Sequence, residues 1–286
     1  MGAGDAPVFP RIAIVGLGLI GGSIALAVRQ RWPSVHLVAV DEKLVLTEAL
    51  SRRVVDASAE TVAGLPEVDL VVLAAPVRRN IEILSQLADT LHGPAVITDV
   101  GGTKQAIQDA ALHSPLTFVG GHPLGGGAYS GLGFARADLF DQRPWIFTPP
   151  ANQPPGAVEQ LSRFAAALGA LPVTMSAAEH DRIMAFLSHL PQLTASALME
   201  TVGQAVGAHG LGLAGGGLMD TTRLASSPAS VWRDVCATNA GAVGTALDLL
   251  IEKLGTLRAD LERGQTVEDV FSSASKWRAE LMRSRQ

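Results

Sequence analysis

Cysteine is almost absent from this 286-residue chain: Cys236 stands alone. An intramolecular disulfide and a multi-cysteine zinc site are excluded, and a reducing cytoplasm is the expected setting. Also missing is an uninterrupted apolar run of the ~20 residues that a membrane helix requires. Of the two most apolar stretches, residues 12–28 are broken by four glycines and 209–218 are short and glycine-rich. The first ten residues contain Asp5 and no positive segment, so no secretory signal is expected. Charge is sparse at 17%, with Lys+Arg 22 against Asp+Glu 27. The net charge of −5 argues against nucleic acid and anionic membranes as partners, although a local basic pocket can still hold a small carboxylate. At 48% hydrophobic residues the chain is not disordered. A chain this long buries roughly 75% of its extended surface, so no structural metal is needed to hold a core. A soluble globular protein is expected.

Short apolar runs alternate with helical periods over the first 175 residues. Strands are expected at 11–15, 35–40, 70–74, 95–98 and 117–119, with helices at about 44–51, 78–91 and 103–112 and another beginning just after residue 16. This alternation is the pattern of a parallel sheet with crossover helices, an α/β class. Two further short strands, 145–147 and 172–175, flank a helical segment at 156–169 and either extend the sheet or form an edge. Thr148–Gly156 holds four prolines and cannot continue a helix or a central strand. From Ser176 the character changes. Ser176 with Glu179 forms a capping box that opens a long helix through Met199, with further helices at 200–214, 229–260 and 266–283. The expected division is therefore an α/β domain over 1–175 and an all-helical domain over 176–286.

The strand at 11–15 runs straight into Gly16-Leu17-Gly18-Leu19-Ile20-Gly21, a GxGxxG loop at the start of a helix. Gly16 permits the tight turn, Gly18 lets a pyrophosphate approach the backbone, and Gly21 lets helix and strand pack closely. Asp41 follows Gly21 by twenty positions and ends the second strand. A carboxylate there accepts the adenosine ribose hydroxyls and repels a 2′-phosphate, which favours NAD over NADP. Lys43 is the one nearby residue that could offset that repulsion. The first half is thus Rossmann-like, with Gly16, Gly18, Leu19, Ile20, Gly21, Asp41, Ala75, Pro76 and Gly101 as the expected cofactor contacts.

Ligands of open α/β sheets sit outside the carboxyl ends of the strands. Arriving there are residues 74–77, 99–104 and 120–124. His122 lies in such a loop between a Gly-Gly pair and a proline, where an imidazole can take a proton from an alcohol as hydride leaves. Lys104 reads as a solvated first-turn residue. His36, His92, His113, His180 and His209 read as surface or structural. His189 precedes Pro191 within the expected long helix; the proline removes an N–H from the helix ladder, and a kink beside Ser188 and His189 suggests a pocket. Arg223 sits in a largely uncharged run, where a buried guanidinium would need an anionic partner: Asp220 or a substrate carboxylate.

Taken together, GLGLIGGSIA at 16–25, DVGGTK at 99–104, GGHPLGG at 120–126, EHDRIMAFLSHLP at 179–191 and GGGLMDTTRLASSPASVWRD at 215–234 resemble the prephenate and arogenate dehydrogenases of tyrosine biosynthesis. The resemblance implies an NAD-dependent oxidative decarboxylation of a cyclohexadienyl carboxylate and a helical domain that builds a homodimer, with no metal. His122 matches the catalytic histidine and His189 the histidine that orients substrate and cofactor. Arg223 matches the arginine that grips a substrate carboxylate; Ser188, which opens the SHLP stretch, and Gln192, which follows it, are the other expected substrate contacts. Two positions depart from the pattern: Gly102 stands where many members have serine, and Gln192 where many have a second histidine. Thr103, Ser130 or a water would have to replace the missing hydroxyl. Prephenate is the expected substrate. Arogenate or dual specificity is the alternative, with a specialised relative taking an amino-substituted prephenate and a non-catalytic NAD-binding protein as further ones.

Overall fold

The computed structural model describes residues 6–284 apart from 92, 113, 127–128 and 152–154, so the expectations for His92 and His113 lie outside the described residues. Two compact units are present, Met1–Ala240 and Gly241–Gln286.

In the first unit, β1 (Arg11–Val15), α1 (Leu19–Arg31), β2 (His36–Val40), α2 (Lys43–Ser51) and β3 (Ala57–Ser58) are followed by β4 (Leu70–Leu73), α3 (Val77–Thr90), β5 (Val96–Asp99), α4 (Gln105–Ala111) and β6 (Thr117–Pro123). β7 (Pro144–Thr148), α5 (Pro155–Ala167) and β8 (Leu171–Thr174) complete an eight-stranded sheet in the order β3-β2-β1-β4-β5-β6-β7-β8. All pairs are parallel except β6–β7. The strands of the middle are buried on both faces, which is why they read as continuous apolar runs. Ile12 and Ile14 face one way with Leu37, Leu70, Val72, Ile24 and Phe164. Ala13 and Val15 face the other with Val71, Leu73, Ile97, Ile83 and Phe118. Strands 145–147 and 172–175 do extend the sheet. β3 has only two residues, too few to show a period.

Beyond the sheet, α6 (Ala177–Met184) begins where the Ser176 hydroxyl accepts the Glu179 N–H at 3.1 Å. The kink expected beside Ser188 and His189 takes the form of a π-turn, Ala185–His189, and α7 (Leu190–Leu211) carries Pro191 in its first turn. Proline there costs no ladder bond that the wide turn has not already given up. After α8 (Gly216–Thr222) and a 3₁₀ turn (Arg223–Ser226) comes α9 (Ala229–Thr238). The helix expected over 229–260 is broken at Asn239, and α10 (Ala240–Ala259) starts anew. The second unit holds the rest of α10 and α11 (Gln265–Arg283), none of whose residues is buried. Among the described residues no helix is long and apolar enough to cross a membrane.

Candidate active site

Gly16 leaves β1 at φ +99°, pressed so closely on Ala74 that a Cβ would stand 2.8 Å from its carbonyl carbon. At Gly21 a Cβ would lie 1.9 Å from the Gly16 carbonyl oxygen. Gly18 is different: nothing lies within 4 Å of its Cβ position. The backbone is bare where a pyrophosphate would approach, and α1 begins there with no side-chain cap and no acidic first-turn residue. A cavity of about 640 Å³ opens at this point, lined by Gly16, Gly18, Asp41, Ala75, Pro76 and Arg79 among others. Leu19 and Ile20 form the first turn of α1. Asp41 accepts N–H groups from Leu17 and from Glu42, the latter at 2.6 Å, and so braces the loop it borders. Glu42 and Glu60 share the lining with it, and this acidic end repels a 2′-phosphate. Lys43 is exposed on α2. These residues fit NAD.

One contributor has no sequence motif. Asn80 on α3 is fully buried; its Nδ2 donates to the Leu73 carbonyl and its Oδ1 accepts the Ala75 N–H, both at 3.1 Å. It clips the 74–76 turn that floors the cavity.

Farther along the same edge, β5 ends in Asp99, which is fully buried and receives the N–H groups of Gly101 at 2.8 Å and Gly121 at 3.0 Å. It also pairs with Lys104 Nζ. Lys104 is therefore not a solvated first-turn residue: it is fully buried, and its charge is held by Asp99. Burial lowers its pKa, against the pull of Asp99 and Asp181. Gly101 lies over this pair, with the Asp99 Oδ2 2.8 Å from where its Cβ would be.

His122 sits near the carboxyl end of β6, half-buried. Its Nδ1 is 2.8 Å from His180 Nε2, and His180 Nδ1 is 2.8 Å from Asp181 Oδ1. His180 belongs to the centre of the site, contrary to its reading as a surface or merely structural residue; it is fully buried. The signal was available: Ala177, His180, Asp181 and Met184 form one inward stripe of α6. Asp181 also takes the N–H of Lys104 at 2.7 Å and of Gln105 at 2.9 Å, capping α4 from another element. Burial, then the neighbouring His180, Lys104 and His189, hold the His122 imidazole well below the usual histidine range.

His189 emerges from the π-turn, buried, with Nδ1 3.4 Å from Asn239 Nδ2 and its ring edge-on to Trp232 at 6.1 Å. Burial lowers its pKa to about 4, partly opposed by Asp181 and by a hydrogen bond to the Gly102 backbone. Asn239 donates to the Asp181 carbonyl at 2.8 Å, so the break between α9 and α10 ties both histidine helices together.

Ser188 is half-buried on the same turn. Gln192 is buried, its Nε2 donating to the Leu224 carbonyl at 2.7 Å while its Oε1 accepts from Ser227 at 3.1 Å. It fastens the Arg223 turn to α7. Arg223 itself is exposed rather than buried, and it makes no ion pair or side-chain hydrogen bond to a described residue, Asp220 included. Asp234 lies 3.9 Å from Arg78 instead. At Gly102, a Cβ would find its nearest neighbour, Val235 Cγ2, at 3.7 Å, so the site has room for a serine. Thr103 does not replace that hydroxyl, being buried against Thr238 at 2.7 Å, and Ser130 is exposed.

Residues 24–173 match the family described as prephenate dehydrogenase, nucleotide-binding domain, and residues 176–273 match prephenate dehydrogenase, dimerization domain. The chain is 35% identical over 270 residues to prephenate dehydrogenase of Bacillus subtilis, covering 91% of this chain and 72% of that protein. It is 31% identical over 288 residues to cyclohexadienyl dehydrogenase of Zymomonas mobilis, covering 96% and 97%. The crystal structure of prephenate dehydrogenase from A. aeolicus in complex with hydroxyphenyl propionate and NAD+ superposes with a TM-score of 0.89 at 27% identity, over 95% of this chain and 98% of that one. With the glycine loop, its acidic lining and the histidine cluster in place, the chain belongs to the prephenate dehydrogenase family and is an NAD-dependent dehydrogenase.

Proposed function

We propose that the chain oxidatively decarboxylates prephenate to 4-hydroxyphenylpyruvate and CO2, with His122 as the base that removes the ring hydroxyl proton. One observation supports this most: the glycine loop and His122 lie at the carboxyl ends of parallel strands β1 and β6 of one sheet, with the imidazole tied down at Nδ1 and its other nitrogen unassigned to any partner among the described residues. NAD supplies the hydride acceptor when bound at Gly16, Gly18, Leu19, Ile20, Gly21, Asp41, Ala75, Pro76 and Gly101. His122 accepts the hydroxyl proton. As the hydroxyl carbon becomes a carbonyl, the ring can take the electrons of the departing carboxylate, and aromatisation drives the loss of CO2. Arg223, with its unpaired guanidinium, holds a substrate carboxylate, and Ser188, on the π-turn before His189, is a further substrate contact. Gln192 serves the substrate by bracing the Arg223 turn, and His189 by holding the Gly102 loop and Trp232. Positioning of this kind acts on the transition state more than on affinity.

Residues 1–175 then form the cofactor half and 176–286 the substrate and pairing half. A homodimer is the proposed assembly: α11 leaves Phe271 and Trp277 about 70% exposed, with half-exposed Leu281 one turn beyond Trp277. The cytoplasm is the proposed location. Arogenate or dual specificity is the second reading, favoured by the neutral Gln192 and by the relatives bearing both kinds of name. Initial rates of NADH formation with prephenate and with arogenate decide between them. Turnover on neither, with NAD binding intact, would leave a non-catalytic NAD-binding protein.

A further inference from the structure

Asp181 is fixed as an acceptor by two backbone N–H groups, one on each oxygen: Lys104 N at 2.7 Å on Oδ1 and Gln105 N at 2.9 Å on Oδ2. The remaining contact, His180 Nδ1 at 2.8 Å, is then a donor. A neutral His180 with its proton on Nδ1 offers a lone pair at Nε2. The ring nitrogen 2.8 Å away, Nδ1 of His122, must therefore carry a proton, which leaves the lone pair of His122 on Nε2. A carboxylate two rings away thus decides which nitrogen of His122 can act as a base.

We propose that His180 and Asp181 are positioning residues that fix the tautomer of His122 and take up the positive charge created when it removes a proton; this rests on His122 being the base in the reading above. In the step, the substrate O–H bond breaks and its proton binds His122 Nε2. The Nδ1–H bond of His122 then breaks, its electron pair stays on Nδ1, and that proton binds His180 Nε2. His122 ends neutral in its other tautomer, and the positive charge rests on His180 against the Asp181 carboxylate. The groups facing this pair favour that resting place. At the N-cap of α4, Lys104 stands near His122 with its charge held by Asp99 at the end of β5. The π-turn contributes His189, which is held neutral near pH 7 by burial. Asp181 is the carboxylate that contacts the histidine pair directly. Because His180 is fully buried, the proton returns to solvent through His122 after product leaves.

His180→Gln tests this directly. Its amide oxygen can still accept from His122 Nδ1, so the tautomer survives while the proton acceptor is lost. Single-turnover NADH formation should slow at least about tenfold, with prephenate KM and NAD affinity held within about threefold. A plot of rate against deuterium fraction in the solvent, bowed in the native enzyme by two protons in flight, should become linear. A native rate with unchanged curvature overturns the relay. Nitrogen-15 shifts of the native enzyme labelled in histidine provide a test that does not depend on the variant folding: protons on Nδ1 of both His122 and His180 are expected, and a proton on His122 Nε2 overturns the proposal. His122→Asn separates the two levels. If it is inactive while His180→Gln is native, the relay alone fails; if it turns over normally, the base assignment fails and the relay with it.

Discussion

At the scale of single residues, chemistry-bearing positions divide by how they announce themselves. Gly16, Gly18, Gly21, Asp41 and His122 stand in spaced motifs whose geometry is local, and each lies where its motif implies. Lys104 and His180 do not: Lys104 is folded back onto Asp99, five positions earlier across a loop, and His180 meets His122 from 58 positions away. A lysine without an apolar neighbour pattern reads as solvated until the buried carboxylate beside it is seen. The open space at Gly102 gives a first expectation: Gly102→Ser should fold with native stability and raise kcat by supplying a hydroxyl near the substrate, as measured by thermal melting and NADH formation. His189 gives a second. Its pKa falls from 6.5 to about 4 in the folded chain, so between those values the unfolded state binds more protons than the native one. Stability should therefore be full above about pH 6.5 and fall as the pH drops toward 4. Thermal melts in that window should show the loss, and His189→Asn should flatten it.

Among elements, the doubly buried strands were legible because burial on both faces leaves unbroken apolar runs. β3 was not, being two residues held by β2 alone. The break at Asn239 was also hidden, since the side chain spends its hydrogen bonds on Asp181 and His189 rather than on a recognisable cap. Pro191 gave the right place for a disturbance in the helix, and the structure shows its form to be a π-turn that carries His189. Asn80 shows how an element boundary can serve a site. Asn80→Ala would strand the Ala75 N–H and the Leu73 carbonyl, costing about 2 kcal/mol. Denaturant melts should show that loss, and NAD titration a weaker affinity, with His122-dependent chemistry unaffected at saturating cofactor.

For the molecule as a whole, the class of chain and the order of its parts follow from an alternation of short apolar runs with helical periods, then from the switch to helix alone after Ser176. How the helices of the second unit are covered depends on a surface no periodicity identifies. The exposed aromatics of α11 lead to the expectation that Phe271→Glu with Trp277→Glu will convert the proposed dimer to monomer in sedimentation velocity. The proposed chemistry rests on an imidazole at the carboxyl edge of β6 that takes the hydroxyl proton of a cyclohexadienyl carboxylate. Its most direct test is NADH formation from prephenate and from arogenate by native enzyme and His122→Asn, alongside NAD titration of both. Expected is turnover of prephenate by the native enzyme, with native NAD affinity but a rate roughly 10²–10⁴-fold lower in the variant. Equal rates for the two proteins, or no turnover of either compound by a native enzyme that binds NAD, would contradict it.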